Sequence, residues 1–369
     1  MKLLFLESYF GGSHGEFAKG LVEHSRYDID LITMPERNWR WRMRGAALYF
    51  FYAIKNLKKY DGLIVTDLMS LSDFKALAGN DCPPVLAYFH EDQITYPGLP
   101  GENNDFHFGI IDITSALSAD KNLFNSKMHL ESFLTGIEHF AGRVPDFQPN
   151  WIHNHIAAKS DYLHPGVRFP EKIDPCKRDD TLPPLIIWNH RWGYDKNAKA
   201  FFKALDKALS NGLEFRLAIL GDNFTVDQEE FSEAKKRYGD RIVQFGYVLE
   251  RKNYIAWLKK GDIVISTALQ ENFGLAIVEA IRYGCLPLLP NRLSYPEILP
   301  DKFHSDFIYA NRYDMDQKLA DMIVNKQAYG KKRQALSDSM GRYAWKNMII
   351  EYDKEFENLF EKKMGSGLF

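Results

Sequence analysis

Cysteine is scarce. The 369 residues hold three, Cys82, Cys176 and Cys285, far apart and odd in number. That count excludes a disulfide framework and a zinc knuckle, and it suits a reducing cytoplasm. An excess of one charge is also missing. Lys and Arg total 47 against 49 Asp and Glu, a formal net charge of −2. Nothing global therefore draws the chain to nucleic acid or a membrane, and any basic partner surface has to be local. No run of about eighteen apolar residues occurs, so no spanning helix and no stable membrane insertion are expected. The opening MKLLFLES breaks off after a few apolar residues and reads as a first strand, not a signal peptide. Internal repeats and low-complexity segments are absent. Metal-ligand spacing is lacking too: DID (28–30) reads as a strand, DMD (314–316) as a helix start, and HNH (153–155) has no further ligands nearby.

Alternation is what the chain has. Short apolar runs at 2–7, 28–33, 62–67, 85–90 and 121–125 are separated by helical patterns such as 14–25 and 44–59. The rhythm restarts at 185–190, 215–221, 241–246, 262–267 and 286–290, with helices expected over 197–210, 227–238, 250–259 and 274–283. Strands alternating with helices imply parallel sheets covered on both faces. Between the halves, HPGVRFPEKIDPCKRDDTLPP (164–184) is rich in proline and charge and reads as a linker. The expected fold is α/β: two doubly wound, Rossmann-like domains, 1–165 and 185–345, joined by 166–184, with a tail helix over 346–369 packing across them. In open sheets, ligands bind beyond the carboxyl ends of the strands, so the cleft between the domains is the expected site.

Five charged or glycine-bearing stretches follow strands. ENFGLAIVEA (271–280) places Glu271 in a loop, Gly274 at a helix start and Glu279 one turn in. Free amides and the helix dipole favour an anion at such a start, Glu271 can accept hydroxyls beside it, and Glu279 can take a ribose. At helical pitch the two glutamates would not share a face, so loop-plus-helix is the better geometry. A cap and a solvated helix residue are the ordinary alternative, but the apolar neighbours of Glu279 demand a partner for it. NHRWGYDKN (189–197) offers Arg191 and Lys196, a fork and a point charge suited to a diphosphate leaving group. ESYFGGSHGEF (7–17) has a glycine pair but no GxGxxG, which weakens any nicotinamide reading. YFHEDQITYP (88–97) clusters His90, Glu91 and Asp92, which could orient or deprotonate an acceptor hydroxyl. PERNWRWRMRG (35–45) interleaves Arg37, Arg40, Arg42 and Arg44 with Trp39 and Trp41, a patch for phosphates and bases or for an anionic lipid surface.

Taken together, these stretches resemble the retaining glycosyltransferases of family 4, and more narrowly the tRNA-queuosine mannosyltransferase family. The matching segments are GGSH, RWRMRGAALYF, YFHEDQITYP, FNSKMHLESFL, NHRWGYDKN, DIVISTALQENFG and YPEI, spread over about residues 7 to 300. The resemblance implies a GT-B fold whose second domain binds the nucleotide sugar and whose first binds the acceptor. It implies GDP-mannose as donor, the cyclopentenediol of queuosine in a tRNA anticodon as acceptor, and leaving-group charge met by Arg and Lys with no metal or other cofactor. Arg191 and Lys196 would hold the diphosphate, Glu271 the sugar hydroxyls beside the amides of Asn272, Phe273, Gly274 and Leu275, and Glu279 the ribose. Gly12 and His90 would line the sugar and acceptor side, with Ser13, His14, Glu91, Asp92, Arg40 and Arg42 toward the acceptor. His90, Arg191, Lys196 and Glu271 form the expected catalytic set. One departure from family 4 at large stands out: a glycine commonly precedes the phosphate arginine, and this chain has Asn189-His190. A lipid or small polyol acceptor, a non-catalytic RNA- or nucleotide-binding protein on the same scaffold, and a nucleotide-sugar epimerase remain open from the residues alone.

Overall fold

The computed structural model describes residues 1–96, 106–144, 146, 148–170, 173, 178–179, 181–221 and 229–361. The chain divides into two compact units, Met1–Arg168 with Tyr343–Phe369, and Phe169–Arg342. Much of the expected linker, Cys176 included, lies outside the described residues.

In the first unit, β1 (Lys2–Phe10), β2 (Asp28–Pro35), β3 (Gly62–Thr66), β4 (Val85–Phe89), β5 (Lys121–Phe124) and β6 (Ser160–Tyr162) form one parallel sheet in the order β2-β1-β3-β4-β5-β6. Helices α1 (Gly12–His24), α2 (Trp39–Ala53), α3 (Leu71–Ala78), α4 (Phe106–Ser118), α5 (Lys127–Ala141) and α6 (Trp151–Ala157) connect the strands. Strands β3 and β4 are buried at every position, as expected where helices cover both faces. The core gathers Leu4, Leu6, Val65, Ala87, Phe89, Phe124 and Phe133.

In the second unit, β7 (Leu185–Trp188), β8 (Arg216–Ile219), β9 (Ile242–Phe245), β10 (Ile263–Ile265), β11 (Leu286–Pro290) and β12 (Ile308–Tyr309) pair in the order β12-β11-β10-β7-β8-β9, again parallel. Helices α7 (Ala198–Ser210), α8 (Glu229–Tyr238), α9 (Arg251–Lys260), α10 (Leu275–Arg282), α11 (Tyr295–Ile298), α12 (His304–Phe307), α13 (Arg312–Val324) and α14 (Gly330–Ser339) surround it.

Several elements differ from the sequence reading. Strands β6 and β12 run only three and two residues and carry no apolar run that would announce them. Helix α2 spans Trp39–Ala53, not 44–59. Asn38 turns left-handed (φ 55°), its carbonyl accepts the N–H groups of Trp41 and Arg42, and Ile54 returns to extended backbone. The terminal helix α15 (Trp345–Phe356) belongs to the first unit and packs on α1. The Trp345 ring fills a hollow that only glycine leaves open: a Cβ on Gly20 or Gly166 would lie 2.0 or 2.2 Å from it. Ser25 donates to Asp353 at 2.6 Å and closes the same contact. Among the described residues no helix is long and apolar enough to cross a membrane.

Candidate active site

The second sheet reverses its strand order between β7 and β10. At such a point the outgoing loops diverge and leave a crevice for a ligand beyond the strand ends. Both charged stretches of this unit emerge there, 189–197 after β7 and 266–275 after β10. The two loops are tied to each other. The Asp195 carbonyl accepts the N–H of Leu269 at 2.7 Å, and the Thr267 hydroxyl donates to the carbonyls of Lys196 (3.1 Å) and Asn197 (2.9 Å).

Charges alternate across this seam. Arg191 Nη2 lies 3.3 Å from Asp195 Oδ1, while Lys196 Nζ lies 3.2 Å from Asp195 Oδ2 and 3.1 Å from Glu271 Oε2. Lys196 also donates to the Gln270 carbonyl at 2.8 Å. Burial would favour a neutral Lys196, but Glu271 and Asp195 outweigh it and hold the ammonium pKa above its ordinary value. Arg191 is different: its side chain is 62% exposed. Asp195 was not singled out by sequence; it is the buried acid that orients both cations.

Gly274 opens α10 with φ +97°, a left-handed conformation that a β-carbon would strain. Ser294 clamps the loop from behind by donating to the Phe273 carbonyl at 2.8 Å, and Tyr295 meets Ser266 at 2.6 Å. The second bond is made by the first residue of the YPEI stretch, Tyr295. Glu279, side chain 12% exposed, finds its partner in Arg251 of α9, which contacts both carboxylate oxygens. Burial works against the Arg251 charge, and the Glu279 hydrogen bond more than restores it. Asn189 donates to the Ala276 carbonyl at 2.7 Å and to the Tyr254 hydroxyl at 3.1 Å, so the departure from the glycine pattern ties β7 to the first turn of α10. Next to it, burial and then the Lys196 charge push the His190 pKa down to about 4.

The first sheet has its own reversal between β1 and β3. Beyond those strand ends Glu7, His14, Asp67 and His90 converge. Glu7, fully buried, accepts the N–H of Tyr9 at 2.8 Å and lies 3.6 Å from His14 Nδ1. The His14 and His90 rings are 4.1 Å apart, and Asp67 accepts the His90 N–H at 2.8 Å. Burial would lower the His14 pKa, yet the Glu7 carboxylate raises it to about 9; burial raises that of Asp67 to about 8. Among the described residues, Glu7, His14 and His90 are the group whose carboxylate and imidazole atoms, within 4.8 Å of one another, could hold a metal ion. Neither Glu7 nor Asp67 was foreseen, although each is the acid at the end of a predicted strand.

Three expected acceptor residues face elsewhere. Asp92 is 1% exposed, and its oxygens are taken by the N–H groups of Ile94 and Thr95, the Thr95 hydroxyl and His129 Nε2. It anchors a loop, because burying a carboxylate requires such saturation. Arg42 lies on the inner face of α2 and donates to the Pro35 carbonyl at 3.2 Å, so it adds nothing to the outer basic patch. His14 is buried against Glu7 and His90. Ser13 and Gly12 are exposed at the start of α1, Gly12 with φ +49°. Glu91 accepts from Gln93 at 3.3 Å, and Arg40 lies over the Trp39 ring at 4.7 Å.

Two family models match the chain: tRNA-queuosine alpha-mannosyltransferase N-terminal over residues 2–167, and glycosyl transferases group 1 over 171–346. The tRNA-queuosine alpha-mannosyltransferase of Drosophila melanogaster is 32% identical over 364 residues, 95% of each chain. The GDP-mannose:cellobiosyl-diphosphopolyprenol alpha-mannosyltransferase of Xanthomonas campestris is 24% identical over 177 residues, 46% of each chain. Among solved structures, the sucrose-phosphate synthase from Thermosynechococcus elongatus aligns with a TM-score of 0.75 at 12% identity, over 98% of this chain and 100% of that one. At that identity the likeness speaks for the fold alone, which is GT-B.

Proposed function

Because this chain belongs to the tRNA-queuosine alpha-mannosyltransferase family, we propose that it moves mannose from GDP-mannose to the cyclopentenediol of queuosine in a tRNA. It is a glycosyltransferase of the GT-B fold. The observation that supports the donor assignment is the linkage of Arg191, Lys196 and Glu271 through Asp195 at the strand reversal of the second sheet, with Glu279 on α10, the helix that follows β10 there.

In this reading the diphosphate meets the Arg191 fork, the Lys196 ammonium and the amides that start α10. Glu271, held in place by Lys196, accepts the sugar hydroxyls together with the Asn272–Leu275 backbone. Glu279, oriented by Arg251, accepts the ribose hydroxyls. Charge builds on the leaving phosphate as the bond from the anomeric carbon to its oxygen breaks, and fixed cations there stabilise the transition state more than the ground state. The acceptor hydroxyl attacks from the face the phosphate is leaving, and its proton passes to a phosphate oxygen. The products are GDP and a mannoside of retained configuration. Arg191 and Lys196 supply the charge this step requires without a metal. His90 lies on the acceptor side, and the enzyme works in the cytoplasm.

A lipid-linked acceptor is the competing reading. One observation favours it: α2 exposes Trp41, Leu48, Tyr49 and Tyr52 next to Arg40. GDP release separates the two. It should follow addition of queuosine-bearing tRNA, and stay at background with the same tRNA lacking queuosine or with anionic vesicles carrying polyprenol acceptors. Release driven by the vesicles alone would replace the tRNA assignment.

A further inference from the structure

The chain as a whole is close to neutral, yet its positive charge is concentrated around α2. Residues 37–60 hold seven Lys and Arg and no Asp or Glu. Lys58 and Lys59, beyond the helix, pair with Asp81 and Asp30. Along the helix the cations lie over rings: Arg40 over Trp39 and Arg44 over Phe108, each at 4.7 Å, and Lys55 over Tyr52 at 5.1 Å. Large apolar side chains are exposed beside them. Trp41 is 63% exposed and rests against Gly45, where a β-carbon would come within 3.0 Å of its ring; Tyr52 is 80% exposed. Steps of about 100° per residue put Arg40, Arg44, Leu48, Trp41 and Tyr52 on one arc of the helix. The opposite arc, Met43, Ala46, Ala47 and Phe50, is buried.

This face begins at the ligand end of the first sheet. Helix α2 follows the carboxyl end of β2, and its first turns join a small core of Met43, Leu68 and Phe108 with Tyr9, Trp39 and Ile111 packed on it. Tyr9 lies near the end of β1 and Leu68 just after β3, the two strands between which this sheet reverses order. Phe106 and Ile110 carry the exposed apolar surface onto the first turns of α4. From there the 15 residues of α2 run back for about 22 Å.

We propose that this outer face of α2, with the first turns of α4, is the docking surface for the substrate RNA. Arg37, Arg40, Arg44 and Lys55 meet phosphates, and Trp41 and Tyr52 take unpaired bases by stacking. The proposal rests on the reading of the chain as an enzyme that modifies tRNA. The placement of the cations favours RNA over lipid. A helix lying in a membrane turns an apolar face to the acyl chains and a charged face to water. In α2 both arcs are apolar, and the cations share the outer one with the rings. A nucleic-acid strand offers the matching mixture, a charged backbone with flat bases beside it. Phosphate contacts and stacking tolerate any sequence, so this face supplies affinity and register, and the choice of queuosine falls to the crevice.

Binding of tRNA that lacks queuosine, followed by fluorescence anisotropy over a salt series, reads the surface apart from the chemistry. Lys55→Gln should weaken binding a few-fold and flatten its salt dependence by about one counterion. Trp41→Ala and Tyr52→Ala should each weaken binding by about tenfold with the salt dependence kept. All three side chains are exposed, so binding of GDP-mannose should stay at the wild-type level and report an intact fold. In turnover, the triple variant should raise KM for queuosine-bearing tRNA and leave KM for GDP-mannose unchanged. RNA affinity left intact by the triple variant overturns the proposal. Loss of binding to phosphatidylglycerol vesicles in that variant, with RNA binding unchanged, overturns it too and makes α2 a membrane surface. Mannosylated queuosine formed with an unchanged tRNA KM would remove the surface and leave the reading of the enzyme standing. Weakened RNA binding in the variants, with queuosine left unmodified by the wild type, would uphold the surface and count against that reading.

Discussion

The two units place their polar residues at the same topological position, beyond the strands where each sheet reverses order, but they treat charge in opposite ways. The second unit strings Arg191, Asp195, Lys196 and Glu271 into a chain of alternating sign whose outermost member faces solvent. The first unit packs buried Glu7, His14 and Asp67 around the half-buried His90 and shifts the protonation of His14, Asp67 and His90 strongly. An open chain of paired charges suits a highly charged ligand that replaces one partner with another.

The largest expected effect separates the two treatments directly. Arg191→Ala should cut kcat by about a hundred- to a thousandfold and leave KM for the donor nearly unchanged, since the charge it meets develops in the transition state. Steady-state kinetics read this, and an unchanged kcat would remove Arg191 from the leaving group. Next comes Glu279→Ala, expected to weaken donor binding by about tenfold to a hundredfold; Arg251→Ala should follow it in direction with a smaller size. Calorimetric titration with GDP-mannose measures both.

The third effect sets the units against each other by pH. The His14 pKa is raised from 6.5 to about 9, so its contribution to stability is complete below pH 6.5 and disappears as pH rises through 9. Asp67, raised from 3.8 to about 8, works in the same direction over its own range. The His190 pKa is lowered from 6.5 to about 4, so its contribution is complete above pH 6.5 and disappears as pH falls through 4. Hydrogen exchange resolved by peptide should therefore show the first unit loosening on the alkaline side and the second on the acid side. The same edge for both would break the comparison. The smallest effect concerns α2. Arg40→Ala should weaken tRNA binding a few-fold and flatten its salt dependence by about one counterion, whereas Arg42→Ala should lower thermal stability instead.

Legibility followed the same division. The second unit's residues lie in two local stretches that follow predicted strands, so the loop-plus-helix geometry of Glu271 and Glu279 could be read from the apolar run between them. The partner of Glu279 could not: Arg251 sits on a different helix, and its pairing depends on how α9 packs beside α10. In the first unit the sequence pointed to His90 but assigned His14, Asp92 and Arg42 to the acceptor. All three turned inward, because their neighbours come from segments that periodicity does not connect. Asp92 meets His129 37 residues away, and Ser8 donates to Leu68 60 residues away. Strand position carried one unused signal. An acid closing a buried parallel strand, as Glu7 and Asp67 do, lies at the ligand end of the sheet and has little water to satisfy it.

Mass analysis of tRNA nucleosides tests the central claim most directly. After incubation with GDP-mannose and queuosine-bearing tRNA, the queuosine peak should shift by one hexose with wild-type protein and remain unshifted with Arg191→Ala. An unshifted peak with wild-type protein that still binds GDP-mannose would contradict the account.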